Sequence, residues 1–591
     1  MKKGYWVLTS VLLICAACMQ NSFSDNLDIT PDKNVSADTT TVAPVFDVSV
    51  LNRDSLSWSE FNRTVQIIFT DGGAQITGDM NNTVTASGNH VTVKNTTDEK
   101  VIYELKGTAQ DGSVKLYGAK KLVLVLDGLD MTNPQGAAIN NQGKKKCHVV
   151  LKGTNNLTDG VSYDTTPDGE DEKAALFSEG GLVLSGDGTL TVTARGKSGI
   201  TSDDYVHIMD SPVINVSSVA GHGIRGKDAV YITNGTVSVN VSADMKKGIS
   251  SDSLVYVGGG ETVVDVTGSA AYENENAEYK GTAGIKADCL FLMNGGSLCI
   301  NNTGRGGKGI SGDMTGSFNG GSVRVFAKGA NYGQSSTGQF RDNKSSSNSV
   351  SANGIKFDGN LFFAGGSVTV DCASNEGIES KGNIIIDGGS VYSYSAADDA
   401  MNSAGTFAVV NGYVCGYAVN NDGLDANGNF YIKGGVVYAI GKYSPEVAID
   451  ANTEGGYKLY ISGGTVIAIG GLESGAELTQ KCYQSSVWNS EKWYSMTVGS
   501  DVIAFMTPSS GGTPLVVSGN AVPVLKSDVT VQGGTDIFEG MLKTGATVSG
   551  GSDVFLESYT GGAGIGMNPG GGGFNPGGGG FPSGGGGRPQ R

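Results

Sequence analysis

The chain has 591 residues, of which 93 are glycine, and 17% of its residues are charged while 38% are apolar. Its formal net charge is −17, which argues against nucleic acid as a partner, because nucleic-acid binding normally requires basic patches. The length would ordinarily indicate several domains, but a repetitive chain can instead extend one core along a single axis.

The N-terminus has the pattern of an export signal. Lys2 and Lys3 precede an apolar run over residues 5–14, which is too short to span a membrane. Small residues directly before Cys18 resemble a bacterial lipobox. We therefore predict a signal peptide over 1–18 and a lipid anchor on Cys18 as the sole membrane contact. This predicts a place in the bacterial outer membrane or at the cell surface, with simple secretion as the alternative.

A polar segment over 19–56 is predicted to be a flexible tether, and a repeated template follows over 57–481. Each repeat has Gly-Ile, an Asp a few residues later, an apolar strand, a Gly-rich turn and a second strand with alternating apolar residues. The repeats open at Gly199, Gly223, Gly248, Gly284, Gly309, Gly354, Gly377, Ala400, Gly423 and Ala448. Most steps are 23–25 residues, and two longer ones hold polar insertions over 269–282 and 329–351.

This constant step predicts an all-β, right-handed parallel β-helix. A β-propeller is the alternative, but its blades need roughly 40 residues or more. Residues 482–560 lose the template and are predicted to form a β cap, and the Gly-rich tail over 561–591 is predicted to be disordered. The six remaining cysteines show no metal-binding spacing. Four of them lie in predicted strands, which favours buried free thiols, and one or two disulfides are the alternative.

Two columns of residues flank the repeated glycine position. Both change along the chain from mostly neutral or basic residues to mostly acidic ones. The residue before the glycine reads Ser198, His222, Lys247, Ala283, Lys308, Asn353, Glu376, Asp399, Asp422 and Val447. The residue two positions after it reads Thr201, Arg225, Ser250, Lys286, Ser311, Lys356, Glu379, Asn402, Asp425 and Asp450. Basic residues in the earlier repeats can neutralise nearby aspartates, whereas the repeats from Glu376 onward are predicted to lack basic partners.

Stacked acids of this kind predict a calcium site. Parallel strands lie about 4.8 Å apart, so carboxylates in one column repel each other unless a cation intervenes or some become protonated. Carboxylate and amide oxygens suit Ca²⁺, and Asn402 and Asn427 extend the oxygen set. The alternative is that these are solvated turn residues, since Asp and Asn favour turns.

Residues 375–471 resemble the calcium-bearing parallel β-helix carbohydrate-binding domains of bacterial cell-surface proteins. The motifs that carry the resemblance are E-G-I-E-S at 376, A-A-D-D-A-M-N-S-A-G at 396 and N-N-D-G-L-D-A-N-G at 420. The resemblance implies non-catalytic binding of cellulose- or pectin-type polysaccharide. It also implies calcium ligands, which are Glu376, Glu379, Asp398, Asp399, Asn402, Asp422, Asp425 and Asp450.

Tyrosines recur in the strands of these same repeats. Exposed rings can stack on sugar faces while Asp and Asn bind the hydroxyl groups. We predict as sugar-binding residues Tyr392, Tyr394, Tyr413, Tyr417, Tyr431 and Tyr438. Ordinary packing is the alternative for each of these rings.

The sequence allows three functions other than polysaccharide binding. The chain could be an adhesin or matrix scaffold without sugar specificity. It could also be a pectin-degrading hydrolase, since Asp203-Asp204 followed by Gly221-His222-Gly223 resembles part of the polygalacturonase site and supplies the paired carboxylates of inverting hydrolysis. A calcium-dependent lyase needs an arginine base, and no arginine occurs between Arg341 and the tail. The sequence therefore favours a binding protein that is not an enzyme.

Overall fold

The computed structural model describes residues 43–97, 99–118, 120–333 and 349–561. The signal peptide, Cys18 and almost all of the Gly-rich tail lie outside the described residues. The chain is nearly all β and forms a parallel β-solenoid of about 15 turns, which confirms the predicted fold class. Two short 3-10 helices, Val48–Asp54 and Trp58–Glu60, precede the first strand. Among the described residues, no helix has the length and apolar character needed to cross a membrane.

Each full turn of the solenoid contributes strands to three faces. Face one holds the strand that begins near the Gly-Ile motif, and its parallel strands are Asn89–Asn95, Gly112–Gly118, Ile139–Asn141, Ala174–Ser178, Ser198–Ser202, Ile224–Gly226, Lys247–Ser251, Ala283–Ala287, Lys308–Gly312, Ile355–Phe357, Ile378–Ser380, Met401–Ser403 and Leu424–Ala426. Val84–Ser87 pairs with the first of these strands in the antiparallel direction.

Face two follows in each turn, and face three completes it. The strands of face two are Arg63–Phe69, Val101–Ala109, Leu122–Thr132, Cys147–Lys152, Leu182–Gly186, Tyr205–Ile208, Ala229–Ile232, Leu254–Val257, Leu290–Met293, Thr315–Phe318, Leu361–Phe363, Ile384–Ser395, Phe407–Ala418, Phe430–Ile432, Leu459–Ile461 and Glu477–Leu478. The strands of face three are Thr154–Thr158, Thr189–Ala194, Val213–Ser218, Thr236–Val241, Glu261–Val266, Ser297–Asn302, Ser322–Ala327, Ser367–Cys372, Val436–Ile440 and Thr465–Ile469. Ile384–Ser395 and Phe407–Ala418 are long enough to turn the corner and serve both faces.

The core lies inside the coil and consists of columns of like residues. Ile200, Ile224 and Ile249 occupy the same register on successive strands of face one, and all three are fully buried. Each buried aliphatic side chain of this size contributes roughly 1.5–3 kcal/mol to folding. Because neighbouring turns bury each other's apolar side chains, each additional turn adds to the stability of the solenoid.

The repeated glycine is required by a close approach to face three. A Cβ atom at Gly223 would collide with the side chain of Val239, and the equivalent contact recurs in the other early turns. The turn that begins at Ala400 departs from the template, but the facing position there is Gly416, which aligns with Ser393 of the turn before. The methyl group of Ala400 therefore has room.

Additional strands close the far end and one side of the solenoid. Leu515–Ser518 pairs antiparallel with Thr465–Ile469 and with Cys482–Ser485, which also pairs with Glu557–Tyr559. A separate antiparallel sheet contains Trp493–Val498, Asp501–Met506, Val524–Gln532, Thr535–Ile537, Leu542–Thr544 and Thr547–Asp553. Two smaller pairings involve Gln75–Thr77, which lies against the first strand, and the hairpin of Ala271–Glu273 with Glu278–Lys280.

Part of the segment predicted to be a flexible tether packs against face two instead. Phe46 and Leu51 are buried, at 5% and 6% exposure, among the outward-facing rings of Tyr231 and Tyr256. Asp54 is buried as well and accepts hydrogen bonds from Tyr205. The tether prediction is therefore wrong for residues 46–54, because apolar residues within that polar segment cover an apolar strip of the solenoid. The six remaining cysteines are free thiols, as predicted, but Cys289 and Cys299 are only half-buried while the other four are buried.

Candidate functional site

The predicted acidic columns lie on face one and at the corner that leads into it. Glu379 aligns with Lys356 of the preceding turn and with Asn402 of the following one, and Asn402 aligns with Asp425. A bridge between Leu424 and Ile449 continues the face by one turn and brings Asp450 next to Asp425. The register therefore stacks these side chains as the sequence predicts.

Three of the predicted ligands converge at one point. Carboxylate oxygens of Asp422, Asp425 and Asp450 all lie within 4.8 Å of one another. Burial, reinforced by neighbouring carboxylates, raises the pKa of Asp422 to about 8, of Asp425 to about 6 and of Asp450 to about 9. Within the described ranges, none of the three has a lysine or arginine at ion-pair distance. An all-oxygen set of this kind suits a hard divalent cation.

Glu379 has a different environment, and the prediction that it lacks basic partners is wrong. Its carboxylate is only 1% exposed and forms ion pairs with Lys356, at 2.6 Å, and with Lys381. Burial alone would raise the pKa of Glu379, but the two ammonium groups outweigh it and lower that pKa. Lys381 occupies the position that holds Asp358 in the preceding turn, so this turn keeps basic compensation.

Glu376 lies beside that ion pair and is held by amide groups. Its Oε2 accepts hydrogen bonds from the side chains of Asn353, at 2.9 Å, and Asn375. Asn353 also donates to Glu379, at 2.8 Å. Burial and the charge of Glu379 raise the pKa of Glu376 to about 7. Glu376 is therefore part of a hydrogen-bonded network at the boundary of the acidic columns.

The remaining predicted ligands are mostly engaged with amides. Asp398 accepts a hydrogen bond of 2.7 Å from Asn421, and Asp399 accepts one of 3.0 Å from Asn402. Burial and neighbouring carboxylates raise the pKa of Asp399 well above its ordinary value. Asn427 is exposed, and its amide nitrogen donates to Asn402 at 3.3 Å. These residues surround the three converging aspartates rather than joining them.

Four of the six predicted sugar-binding tyrosines lie under the antiparallel sheet that follows the solenoid. Tyr438 is fully buried and donates a hydrogen bond of 2.7 Å to the carbonyl oxygen of Met506, so its prediction as an exposed ring is wrong. Tyr392, Tyr413 and Tyr417 pack against the same apolar cluster and are half-buried. Their outward orientation is as predicted, but the sheet covers that part of face three.

The remaining two tyrosines lie in different surroundings. Tyr394 makes an edge contact with Tyr417, with ring centroids 5.2 Å apart. Tyr431 lies on face two and is stacked on Tyr460, with centroids 4.9 Å apart and an interplanar angle of 10°. Both stacked rings are half-buried, and Nζ of Lys433 lies 5.6 Å from the centroid of the Tyr431 ring.

Tyr460 was missed by sequence reasoning, although a signal for it exists. Residues 429–435 read N-F-Y-I-K-G-G, and residues 458–464 read K-L-Y-I-S-G-G. The two motifs lie 29 residues apart, a step that the regular spacing of 23–25 does not cover. An alignment on the Tyr-Ile pair would have placed the two rings on adjacent strands.

Asp203 and the histidine of the hydrolase alternative also have structural partners. Asp203 forms an ion pair of 2.5 Å with Lys173, which also pairs with Asp171 at 2.8 Å. Oxygens of Asp171, Asp203 and Glu179 lie within 4.8 Å of one another, but Lys173 already supplies positive charge there. Nδ1 of His222 accepts a hydrogen bond from the backbone N–H of Lys247, which occupies the same position in the next turn. Burial and nearby cations lower the pKa of His222 to about 3.

Comparison with known proteins identifies the family. The profile of the family described as "Carbohydrate-binding domain-containing protein" matches residues 87–400, which is more than half of the chain. A protein of that description from Acetivibrio thermocellus is 33% identical over 109 residues, a match that covers 17% of this chain and 38% of the relative. A solved structure described as that of the polysaccharide lyase-like protein from C. thermocellum, as a gadolinium derivative, is 23% identical with a TM-score of 0.32, and the match covers 45% of this chain and 92% of that one. The chain belongs to the family of carbohydrate-binding domain-containing proteins.

Proposed function

We propose that this protein binds polysaccharide without cleaving it, and that a bound calcium ion stabilises the binding end of the solenoid. Membership of the carbohydrate-binding family carries this proposal. Pectin- and cellulose-like polymers are the ligand classes that we propose. A scaffold or adhesin without sugar specificity, and a pectin-degrading enzyme, are the alternatives that the experiments below separate.

The stacked pair of Tyr431 and Tyr460 is the proposed contact for the sugar ring. Aromatic side chains present a large apolar surface together with a polar hydroxyl group, and a pyranose offers both apolar C–H faces and hydroxyl groups. Glycan binding should therefore fall when both rings are replaced by alanine. Tyr272 provides a matched control, because it is 46% exposed and contacts the ring of Tyr279 on a hairpin remote from this strip.

Calcium is the proposed occupant of the site formed by Asp422, Asp425 and Asp450. Three carboxylates within 4.8 Å of one another repel unless a cation or protons compensate them. Ca²⁺ takes six to eight oxygen ligands in flexible geometry, and the amide and carboxylate side chains around the cluster offer further oxygens. The first test is metal analysis of protein purified without chelator, which should find bound calcium.

Export and lipidation are proposed on the N-terminal pattern alone. Cys18 would carry the lipid and residues 19–42 would separate it from the packed segment that begins near Phe46. Metabolic labelling with a fatty acid should label the wild-type chain and fail to label Cys18→Ala. Labelling that persists in that variant would contradict the anchor.

The decisive test of the binding function is affinity electrophoresis of the full chain through gels that contain one polysaccharide each. Pectin, cellulose derivatives and host glycans would form the panel. We expect retarded migration in at least one gel, relief of that retardation in Tyr431→Ala/Tyr460→Ala, and none in Tyr272→Ala. Unretarded migration in every gel would favour the scaffold alternative, and released products would favour an enzyme.

A further inference from the structure

In the turns that precede the acidic columns, the outer surface of face one contains a groove lined by basic residues. A cavity of about 510 Å³ extends along the solenoid axis from His222 to Asp358. Six basic residues and four aspartates line it, in a chain whose net charge is −17. This groove therefore concentrates positive charge on an acidic protein.

Pairing within the groove leaves two ammonium groups without carboxylate partners. Arg225 binds both oxygens of Asp252, each at 2.8 Å, and Lys286 pairs with Asp288 and Asp313. By contrast, Lys247 donates to the carbonyl oxygen of Met245 at 2.7 Å. Among the residues that the structure describes, neither Lys247 nor Lys308 has a carboxylate at ion-pair distance.

The two lysines are held in a regular arrangement. Lys247 aligns with Ala283, and Ala283 aligns with Lys308, so the lysines stand two strands apart in one column. The strand spacing of about 4.8 Å puts them roughly 10 Å apart, with only a methyl group between them. Burial and the surrounding cations lower the pKa of each lysine to about 8, which means that a bound anion would relieve their mutual repulsion.

A buried hydroxyl group provides an independent sign of a ligand. Ser250 is 4% exposed and lies between Arg225 and Lys286 in the neighbouring column. Ser250 lines the groove, and its Oγ is buried without a hydrogen-bond partner in the described part of the chain. Such a buried polar atom is costly to leave unpaired, so a ligand with hydroxyl groups would satisfy it.

We propose that this groove is a metal-independent binding site for an anionic glycan, whose acidic groups pair with Lys247 and Lys308 while its hydroxyl groups bond Ser250. The proposal rests on the proposed polysaccharide-binding function and places a second subsite away from the aspartate cluster and the tyrosine pair. A glycan fits better than nucleic acid, because the protein as a whole is acidic and the groove offers only two lysines without a carboxylate partner among the described residues. Carboxylate and sulfate groups share the required chemistry.

The test uses the full chain in the presence of EDTA, which removes any metal bridge. Titration calorimetry would compare an oligogalacturonate, a sulfated oligosaccharide and a neutral cello-oligosaccharide. Two lost charge-assisted contacts should weaken binding of an anionic ligand at least about tenfold in Lys247→Gln/Lys308→Gln. Lys526→Gln/Lys543→Gln removes the same charge from the C-terminal sheet and should change affinity less than about twofold, because distant exposed charges are screened.

A second measurement needs no variant. Acylation of lysines in the wild-type protein should be slowed at Lys247 and Lys308 by the oligogalacturonate, and it should be unchanged at Lys526. Binding of the sulfated ligand alone, with the same dependence on the two lysines, would support the site with sulfate as its anion. Equal weakening in both double variants, or no protection by either anionic ligand, would overturn it. If Lys247→Gln/Lys308→Gln binds glycan normally while Tyr431→Ala/Tyr460→Ala does not, the groove is not a binding site and the proposed function stands. If the wild-type protein binds no glycan at all, both proposals are contradicted.

Discussion

Lys356 and Glu379 occupy adjacent strands of face one and form an ion pair of 2.6 Å between Nζ and Oε2. This pair marks the boundary between the cationic groove and the acidic columns. Because Glu379 is only 1% exposed, its charge depends on the pair for compensation. Lys381 contributes a second ammonium group to the same carboxylate.

Replacing Lys356 with methionine should destabilise the solenoid at this boundary. Removing one partner of a buried pair costs about 3–5 kcal/mol, and we expect about 2 kcal/mol here because Lys381 still compensates Glu379. The measurement is the shift in the denaturation midpoint. Lys458→Met is the control, since its pair with Glu477 is exposed on both sides and should contribute less than about 1 kcal/mol. Equal effects of the two variants would contradict this role for Glu379.

The N-terminal segment should undock in acid. Burial would raise the pKa of Asp54, but hydrogen bonds from His207, Lys146 and Tyr205 outweigh it and hold that pKa below its ordinary value of 3.8. A depressed pKa in the folded state stabilises docking fully above about pH 4 and loses that stabilisation as the pH falls further. Protection factors of residues 46–54 against hydrogen exchange, taken relative to the intrinsic rate at each pH, should therefore fall below about pH 4.

A substitution separates this effect from general acid unfolding. Asp54→Asn should weaken docking of the segment by about 3 kcal/mol at neutral pH, because Lys146 and His207 lose a buried carboxylate partner. The protection factors of the segment should then depend little on pH between 4 and 3. Asp47→Asn, which alters an exposed carboxylate on the same segment, is the control. Similar exchange in the two variants would refute the role of Asp54.

Calcium removal should lower the melting temperature of the wild-type protein. A ligand at a free concentration of 100 times its Kd stabilises the folded state by about 2.7 kcal/mol, so EDTA should remove a contribution of that order. Asp422→Asn/Asp450→Asn should abolish the response to EDTA. Asp171→Asn/Asp203→Asn alters the cluster that Lys173 already compensates and should leave the response intact. A wild-type protein without calcium and without an EDTA effect would contradict the proposal.

Tyr438 and Tyr431 should behave in opposite ways. Tyr438→Ala empties a fully buried site and should cost about 3–5 kcal/mol, as aromatic truncations in cores do. Tyr438→Phe removes only the hydrogen bond to Met506 and should cost about 1 kcal/mol without changing glycan affinity. Tyr431→Ala should instead lower glycan affinity with a smaller loss of stability. Reduced glycan binding by Tyr438→Phe would restore that tyrosine to the binding surface.

The fold was predictable because its cause is local and repeated. The 23-residue step from Glu376 to Asp399 and Asp422 reflects one turn of the coil, and equivalent residues of successive turns stack in register. The same logic identified Asp422, Asp425 and Asp450 as neighbours, since they fall in the two columns that flank the repeated glycine.

Interactions across columns and between distant segments were not predictable in this way. Lys381 reaches Glu379 from a neighbouring column, so reading each column separately missed the pair. Tyr438 alternates outward like Tyr431, but nothing in its own turn reveals that residues 493–553 return to cover it. Phe46 and Leu51 likewise pack on turns that begin more than a hundred residues later.

We propose that this chain binds polysaccharide and leaves it intact. The most direct measurement incubates the purified full chain with the glycan that retards it in affinity electrophoresis and follows both retardation and the number of reducing and unsaturated chain ends. We predict retarded migration that depends on Tyr431 and Tyr460, with no increase in either kind of chain end. Migration that no glycan retards would show that the chain does not bind polysaccharide, and new chain ends that accumulate in proportion to the protein added would show that it cleaves it.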